Sequence, residues 1–406
     1  MVRSLLPVGV LGGGLTGLGV VRTLGRRGLD IYLAVDRKDQ VIFSRYCKES
    51  YIVPELRFNQ TALKKFLVRI GRRTSKRVVI YPTSDLDALN LSVLKEDLKD
   101  DYCFVVGNKE PVELLVNKTK FYKALDRNKI SHPTTYFIDD EKDIKQIEGK
   151  INYPVFMKPS ITQLFNRTFG DHGKGFVANS LKELVTYHRL ATRYGIKVML
   201  QEIIPGPPSN SYQLEGYYNE NHRPIVLFAR QRLRIWPPNF GNTTVCTSIP
   251  LEKLADEKKM VNKFLRAIGY QGLMSAEFKR DSRDNKLKFL EINARAWWHF
   301  WLSTRCGADI IFVSYLDAIG EEAKYTEEYE TGVKSIYLLL DLVTSAKMFL
   351  DGDLSLQNWI SSMYGKTEFA FLHRDDLKPF IMNFTANITQ LINHGVKIFR
   401  RDFKVS

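Results

Sequence analysis

Glu277, Glu291 and Asn293 are the residues of this 406-residue chain whose types and spacing point most directly to chemistry. They lie in GLMSAEFKRDSRDNKLKFLEINARAWWH, residues 272–299, where two apolar runs flank the polar stretch 280–285. Two such runs around a charged turn predict a β-hairpin. Glu277 then falls on the first strand. Glu291 and Asn293, two apart on the second, share one face. Three hard oxygen ligands that converge suit Mg²⁺ shared with the phosphates of a nucleotide. Arg295 continues the alternation and brings a fixed positive charge beside the metal. For a lone E-x-N the competing reading is a surface hairpin with ordinary charged edges.

Two lysines stand upstream in contexts that need explaining. Lys158 sits inside YPVFMKP, residues 153–159, an apolar strand. An ammonium there is costly unless an anion pairs with it. Residues 116–122, VNKTKFY, read as a helix start carrying Lys118 and Lys120, and residues 198–206, VMLQEIIPG, as a strand ending in a Pro-Gly turn.

In this order the segments resemble the ATP-grasp superfamily, of the predicted carboxylate–amine ligase type. The resemblance covers roughly residues 6–320. It is most specific at Glu277 with E-I-N-A-R, then at Lys158-Pro159 and Asn117-Lys118. It implies that Lys118 and Lys158 reach the phosphates of ATP, with Lys120 the neighbour that could be confused with Lys118. It implies a hinge at adenine built by Gln201, Glu202, Ile203 and Ile204, mainly through their main chain. Glu277, Glu291 and Asn293 would hold Mg²⁺, or Mn²⁺ in its place, with Arg295 and Lys158 serving the catalytic step. Such enzymes close a glycine-containing loop over the phosphates. Here that role falls to 160–175, read as a long polar loop with Gly170, Gly173 and Gly175. Lys174 is counted among its phosphate contacts, and His172 is read as an exposed loop histidine. The implied activity is activation of a carboxylate as an acylphosphate, then its transfer to an amine.

The elements that must position these residues follow from periodicity. Residues 6–11 read as a strand running into GGGLTG, residues 12–17, then a helix over 18–27 and a strand over 30–35 ending at Asp36. This is a dinucleotide fingerprint in context as well as in letters. It leaves an NAD(P)-dependent oxidoreductase open as an alternative, beside a non-catalytic nucleotide-binding module. In ATP-grasp proteins, a Rossmann-like opening domain uses such a turn on the acceptor-substrate side. Ser84 and Asp85, after the strand 78–81, could cap a helix or face a substrate. Arg230, Arg232 and Arg234 alternate and point to one face, toward a substrate or γ-phosphate or along a solvated edge strand. Trp297 to Trp301 read as core packing. The expected fold class is α/β, with α+β character in the ligase core. The expected domains are a Rossmann-like pre-ATP-grasp domain over 1–115 and an ATP-grasp domain over 116–325. The latter has a small lobe of about 116–198 and a large lobe of about 199–325. A mostly helical accessory segment follows over 326–406, with a short strand near 369–372.

Composition narrows the class. With 44% hydrophobic and 26% charged residues the chain reads as globular. Its four cysteines are widely spaced, which argues against a zinc knuckle or a disulfide scaffold and for a reducing cytoplasm. The net charge of +15 gathers locally at 64–77 and 397–404. The first cluster is read as the solvated face of an amphipathic helix with Leu63, Phe66, Leu67 and Ile70 inside. The glycine-rich run 5–21 is a poor membrane helix, and no other stretch is long enough to span a bilayer. The expected partners are small-molecule carboxylate and amine substrates, with no specific nucleic acid and no transmembrane segment. A homodimer is compatible with this reading.

Overall fold

Five strands near the N-terminus run parallel: Val8–Leu11 (β1), Ile31–Val35 (β2), Cys47–Ile52 (β3), Val78–Pro82 (β4) and Tyr102–Phe104 (β5), in the order β3-β2-β1-β4-β5. The computed structural model describes residues 5–74, 76–170, 174–237 and 240–393. The expectations on His172, Gly173 and the basic cluster 397–404 lie outside the described residues. β1, β2 and β4 are buried at every residue, which is why they read as unbroken apolar runs and not as alternating ones. The helix Gln60–Thr74 buries Leu63, Phe66, Leu67 and Ile70, and its basic face is exposed, as expected.

The first helix begins at Gly14 and ends at Gly25, not over 18–27. The fingerprint glycines supply its first turn because Asp39, from beyond β2, accepts the N–H of Gly14 at 3.0 Å. That cap comes from a distant part of the chain, so local periodicity could not locate it.

A second sheet is built from Thr135–Phe137 (β6), Val155–Pro159 (β7), Phe176–Ala178 (β8) and Val198–Glu202 (β9), in the order β6-β9-β7-β8 with antiparallel pairs. The expected long loop 160–175 is instead a helix over Thr162–Phe169. No side chain caps its start, so the sequence lacks a helix signal there. Burial of Phe165, with ring contacts to Phe169 and Phe176 at 4.8 and 4.9 Å, holds it.

The third sheet has seven strands: Ser211–Tyr218 (β10), Pro224–Trp236 (β11), Asn242–Ser248 (β12), Gly272–Arg280 (β13), Leu287–Asn293 (β14), Lys334–Ile336 (β15) and Thr367–Phe369 (β16). Their order is β14-β13-β10-β11-β12-β15-β16. β13 and β14 form the expected antiparallel hairpin. β11, which carries the three arginines, is an inner strand between β10 and β12 and so not a solvated edge. Trp297, Phe300 and Trp301 are buried in the core, as the sequence suggests. After β15 the chain is mostly helical, over Leu338–Asp351, Leu356–Met363 and Lys378–Asn393. Arg22, on the first helix, is buried against Asp376 at 2.9 Å and donates to the carbonyls of Phe371 and Asp376, so the segment 371–376 is held on the first helix. Among the described residues no helix is long and apolar enough to cross a membrane.

Candidate active site

The hairpin sets the site. Glu277 pairs with Glu291 across β13 and β14, and a bulge directly after Glu277 shifts the register so that Phe278 opposes Phe289. Such a bulge re-aims side chains. On the core side, Phe278 and Phe289 stack at 4.6 Å and fix the two strands. Reading on across the sheet, Glu277 is paired with Gln213, and Gln213 with Arg230. The carboxylates therefore begin a polar row that runs inward over two more strands.

Each acid has a cation. Glu277 faces Arg232 at 3.3 Å, and Glu291 faces Lys118 at 3.4 Å. Asn293 contacts both neighbours: its amide nitrogen lies 3.4 Å from Glu277, and its oxygen accepts from Arg295 at 2.8 Å. Arg295 lies just beyond the end of β14 and reaches back to Asp85 at 2.9 Å. Of the other two arginines, Arg230 pairs with the buried Glu215 and Arg234 with the buried Asp341, so all three answer acids of the fold.

Lys118 is placed by a helix start. Asn117 caps the helix Lys118–Arg127 by accepting the N–H of Lys120, and the N–H of Lys118 donates to Ser160 just past β7. This turns Lys118 inward, while the Lys120 side chain points out to Glu113. Lys158, on β7, donates to the Tyr122 hydroxyl at 2.9 Å and to Gln201 Oε1 at 3.3 Å. Both partners are neutral, and burial pushes Lys158 down to about 8. Burial also pulls Lys118 down, but Glu291 and Asp85 outweigh it and leave it raised. Burial would raise Glu291, yet Lys118, Lys174, Lys158 and Arg295 together hold it far below the carboxylate range.

These groups line one cavity of about 570 Å³. Lys118, Lys158, Lys174, Gln201 to Ile204, Glu277 and Glu291 all contribute to its wall. Asn293 adjoins it through Glu277, and Arg295 through Asn293. The Glu202 side chain serves the scaffold, accepting from the N–H of Thr134 and from Arg283 of the hairpin turn. A shallower cavity of about 950 Å³ lies over the basic face of Gln60–Thr74, but Glu49 is its one acid and it has no comparable donor set.

Several residues here were not singled out from sequence. Tyr122, four positions after Lys118, faces the same way on the helix and orients Lys158; that spacing was available. For Asp85 the sequence allows capping or a substrate contact. Ser84 does the capping, and Asp85 turns to Arg295 and Gln163. Thr344, Lys347 and Met348 line the same cavity from a helix to which no motif had been tied. No local signal marks them.

The donor chemistry fits a divalent metal. Among the described residues no three His, Cys, Asp or Glu are grouped as a metal cage. Two carboxylates and an amide oxygen are instead what Mg²⁺ uses when phosphates complete its shell. The glycine turn is less suited to a dinucleotide. Asp39 occupies its helix end, and a Cβ at Gly13 would lie 2.7 Å from the Asp39 carboxylate. A negative charge thus sits where a pyrophosphate would have to bind.

The layered sheets and this site agree with the resemblance to ATP-grasp proteins read from the sequence. No protein-family model matches the chain. It is similar to the D-aspartate ligase of Enterococcus faecium, 25% identical over 229 residues, or 54% of each chain. It is also similar to the carbamoyl phosphate synthase large chain of Saccharolobus islandicus, 22% identical over 68% of this chain and 25% of that protein. The chain therefore spans about half or less of the length of these curated relatives. Among solved structures, biotin carboxylase from Campylobacter jejuni aligns with a TM-score of 0.62 at 17% identity, over 80% of this chain and 74% of that one. L-amino acid ligase from Bacillus licheniformis aligns with 0.61 at 15%, over 82% and 79%.

Proposed function

We propose that the chain is an ATP- and Mg²⁺-dependent ligase that activates a carboxylate as an acylphosphate and transfers it to an amine. The observation that carries this is the convergence of Lys118, Lys158 and Lys174 on the Glu277–Glu291 pair in one cavity, with the β9 hinge on its wall. In this reading residues 1–115 are a Rossmann-like pre-ATP-grasp domain, 116–325 the two-lobed catalytic domain and 326–406 an accessory segment. The parallel order β3-β2-β1-β4-β5 supports the first assignment. The names of the similar D-aspartate ligase and L-amino acid ligase point the same way.

Transfer of a phosphoryl group from one anion to another demands neutralisation of charge at the moving group. Lys118 and Lys158 bind phosphate oxygens, and Arg295, anchored by Asp85 and Asn293, holds the carboxylate in line. Tyr122 and Gln201 orient Lys158. Glu277, Glu291 and Asn293 would hold Mg²⁺, which supplies further charge neutralisation at the phosphates. Loss of the counter-charges Lys118 and Lys158 would leave Glu291 facing the phosphates unscreened.

Calorimetry with MgATP and with NADH tests the reading, followed by ADP release over a panel of carboxylates with amine acceptors. MgATP should bind, NADH should not, and at least one pair should release ADP. Tight NADH binding without ATP binding refutes the proposal.

A further inference from the structure

A second cluster of charge lies at the C-terminal ends of β1, β2 and β4, the edge at which open parallel sheets bind ligands. Asp36 follows β2, Asp87 lies in the helix Asp85–Leu98 after β4, and Arg57 comes from the segment after β3. Arg57 Nε is 3.6 Å from a carboxylate oxygen of Asp36 and 3.6 Å from one of Asp87. Neither distance is a hydrogen bond. Among the described residues Arg57 Nε, Asp36 Oδ1 and Asp87 Oδ2 are all shielded and without a hydrogen-bond partner. Asp87 is 1% exposed, while the Asp36 and Arg57 side chains are 29% and 30% exposed and open the cluster to solvent.

Buried polar groups are nearly always satisfied, so Arg57 Nε and Asp87 Oδ2, left facing each other at 3.6 Å without a hydrogen bond, and the orphan Oδ1 of the adjacent Asp36 call for an explanation. The glycine turn makes room for them. A Cβ at Gly12 would lie 2.9 Å from Arg57 Nη2 and 2.2 Å from Thr83 Oγ1. The cluster also adjoins the phosphate cavity, since Asp85, two residues before Asp87, holds Arg295.

We propose that Asp36, Asp87 and Arg57 form the subsite for the ammonium group of the amine acceptor. The two carboxylates receive the cation, and Arg57 Nε donates to an acceptor atom beside it on the same molecule. This rests on the ligase reading above and adds which groups receive the acceptor's cation. Two carboxylates against one guanidinium leave a net negative charge. An incoming ammonium relieves it, whereas a donor carboxylate would meet two like charges. The donor belongs instead beside Arg295 and the lysines. Burial pushes Asp87 up to about 6, with Arg57 opposing it, so at neutral pH it is ionised and gains from a cationic neighbour.

The test uses the full chain, with ethanolamine, putrescine and a set of amino-acid amides as probes and acetate, propionate and succinate as their anionic counterparts. Binding is read by thermal shift and ligand-observed NMR, and MgATP binding is measured separately. At least one amine should bind the wild type. Asp87→Asn and Arg57→Gln should each weaken it by about tenfold or more, as expected for loss of a charged hydrogen-bond partner, with MgATP affinity unchanged. Asp36→Asn, at a half-buried position, carries the same test should Asp87→Asn fail to fold. The subsite is overturned, with the ligase reading intact, when MgATP binds but no amine does, when the variants bind the amine as the wild type does, or when the carboxylates bind there instead. Failure of the wild type to bind MgATP overturns the ligase reading itself, and the subsite with it.

Discussion

Nucleotide binding should take up a proton at Lys158, and the uptake should depend on pH in a way the structure specifies. Burial holds this ammonium near 8, against 10.5 for a free lysine. The gap corresponds to about 3 kcal/mol against the charged form in the ligand-free protein. Because the unfolded chain holds this proton more tightly than the folded one, the destabilisation is full below pH 8. It shrinks as pH rises from 8 to 10.5 and vanishes above. Phosphates placed beside Lys158 should restore its proton affinity. At pH 9 the free protein carries about 0.1 proton on Lys158 and the complex about 1, so uptake is about 0.9 per nucleotide; at pH 7 it is about 0.1. Calorimetry of MgATP binding in two buffers of different ionisation enthalpy, at both pH values, measures this. Lys158→Met should abolish the uptake and weaken binding, yet stabilise the ligand-free protein at pH 7 by up to about 3 kcal/mol in urea unfolding. Absence of uptake at pH 9, or the same uptake in the variant, would refute the reasoning.

Glu291→Gln keeps volume but removes the charge beside Lys118; turnover with an identified substrate pair should fall on the order of 10²–10³, while ATP affinity, held also by the hinge and lysines, falls much less. Asn117→Ala removes the cap that turns Lys118 inward and should cost about 1 kcal/mol by denaturant midpoint, with a weaker nucleotide complex as a second readout. Arg22→Met leaves Asp376 buried without its cation and should cost about 3–5 kcal/mol in chemical unfolding; a loss under about 1 kcal/mol would mean that this pair does not hold the segment 371–376 on the first helix.

The hairpin was legible because its two apolar runs and polar turn are contiguous and its periodicity is local. Lys158 was legible because a lysine within an apolar strand demands a reason. The helix Thr162–Phe169 was not, since it is short, uncapped and held by rings at Phe176 and beyond. The arginines of β11 were read as alternating, but their separate acids, Glu215, Glu277 and Asp341, come from three distant elements. The glycine turn matched a dinucleotide fingerprint letter for letter, and Asp39, folded back onto it, argues against that use.

By itself, then, the sequence pointed to side chains able to do chemistry and to the hairpin, strand and helix start that carry Glu277, Glu291, Lys158 and Lys118, because strand alternation, helix caps and a buried charge are imposed by neighbours a few residues away. Only the tertiary structure decided which charges meet. Against the pull of burial, Glu291 is held ionised by Lys118, Lys174, Lys158 and Arg295, and Lys158 loses proton affinity because the fold buries it. Asp36, Arg57 and Asp87 become a cluster only once three parallel strands align their ends. Electrostatic interaction depends on distance and burial in space, and neither is written in the order of the residues.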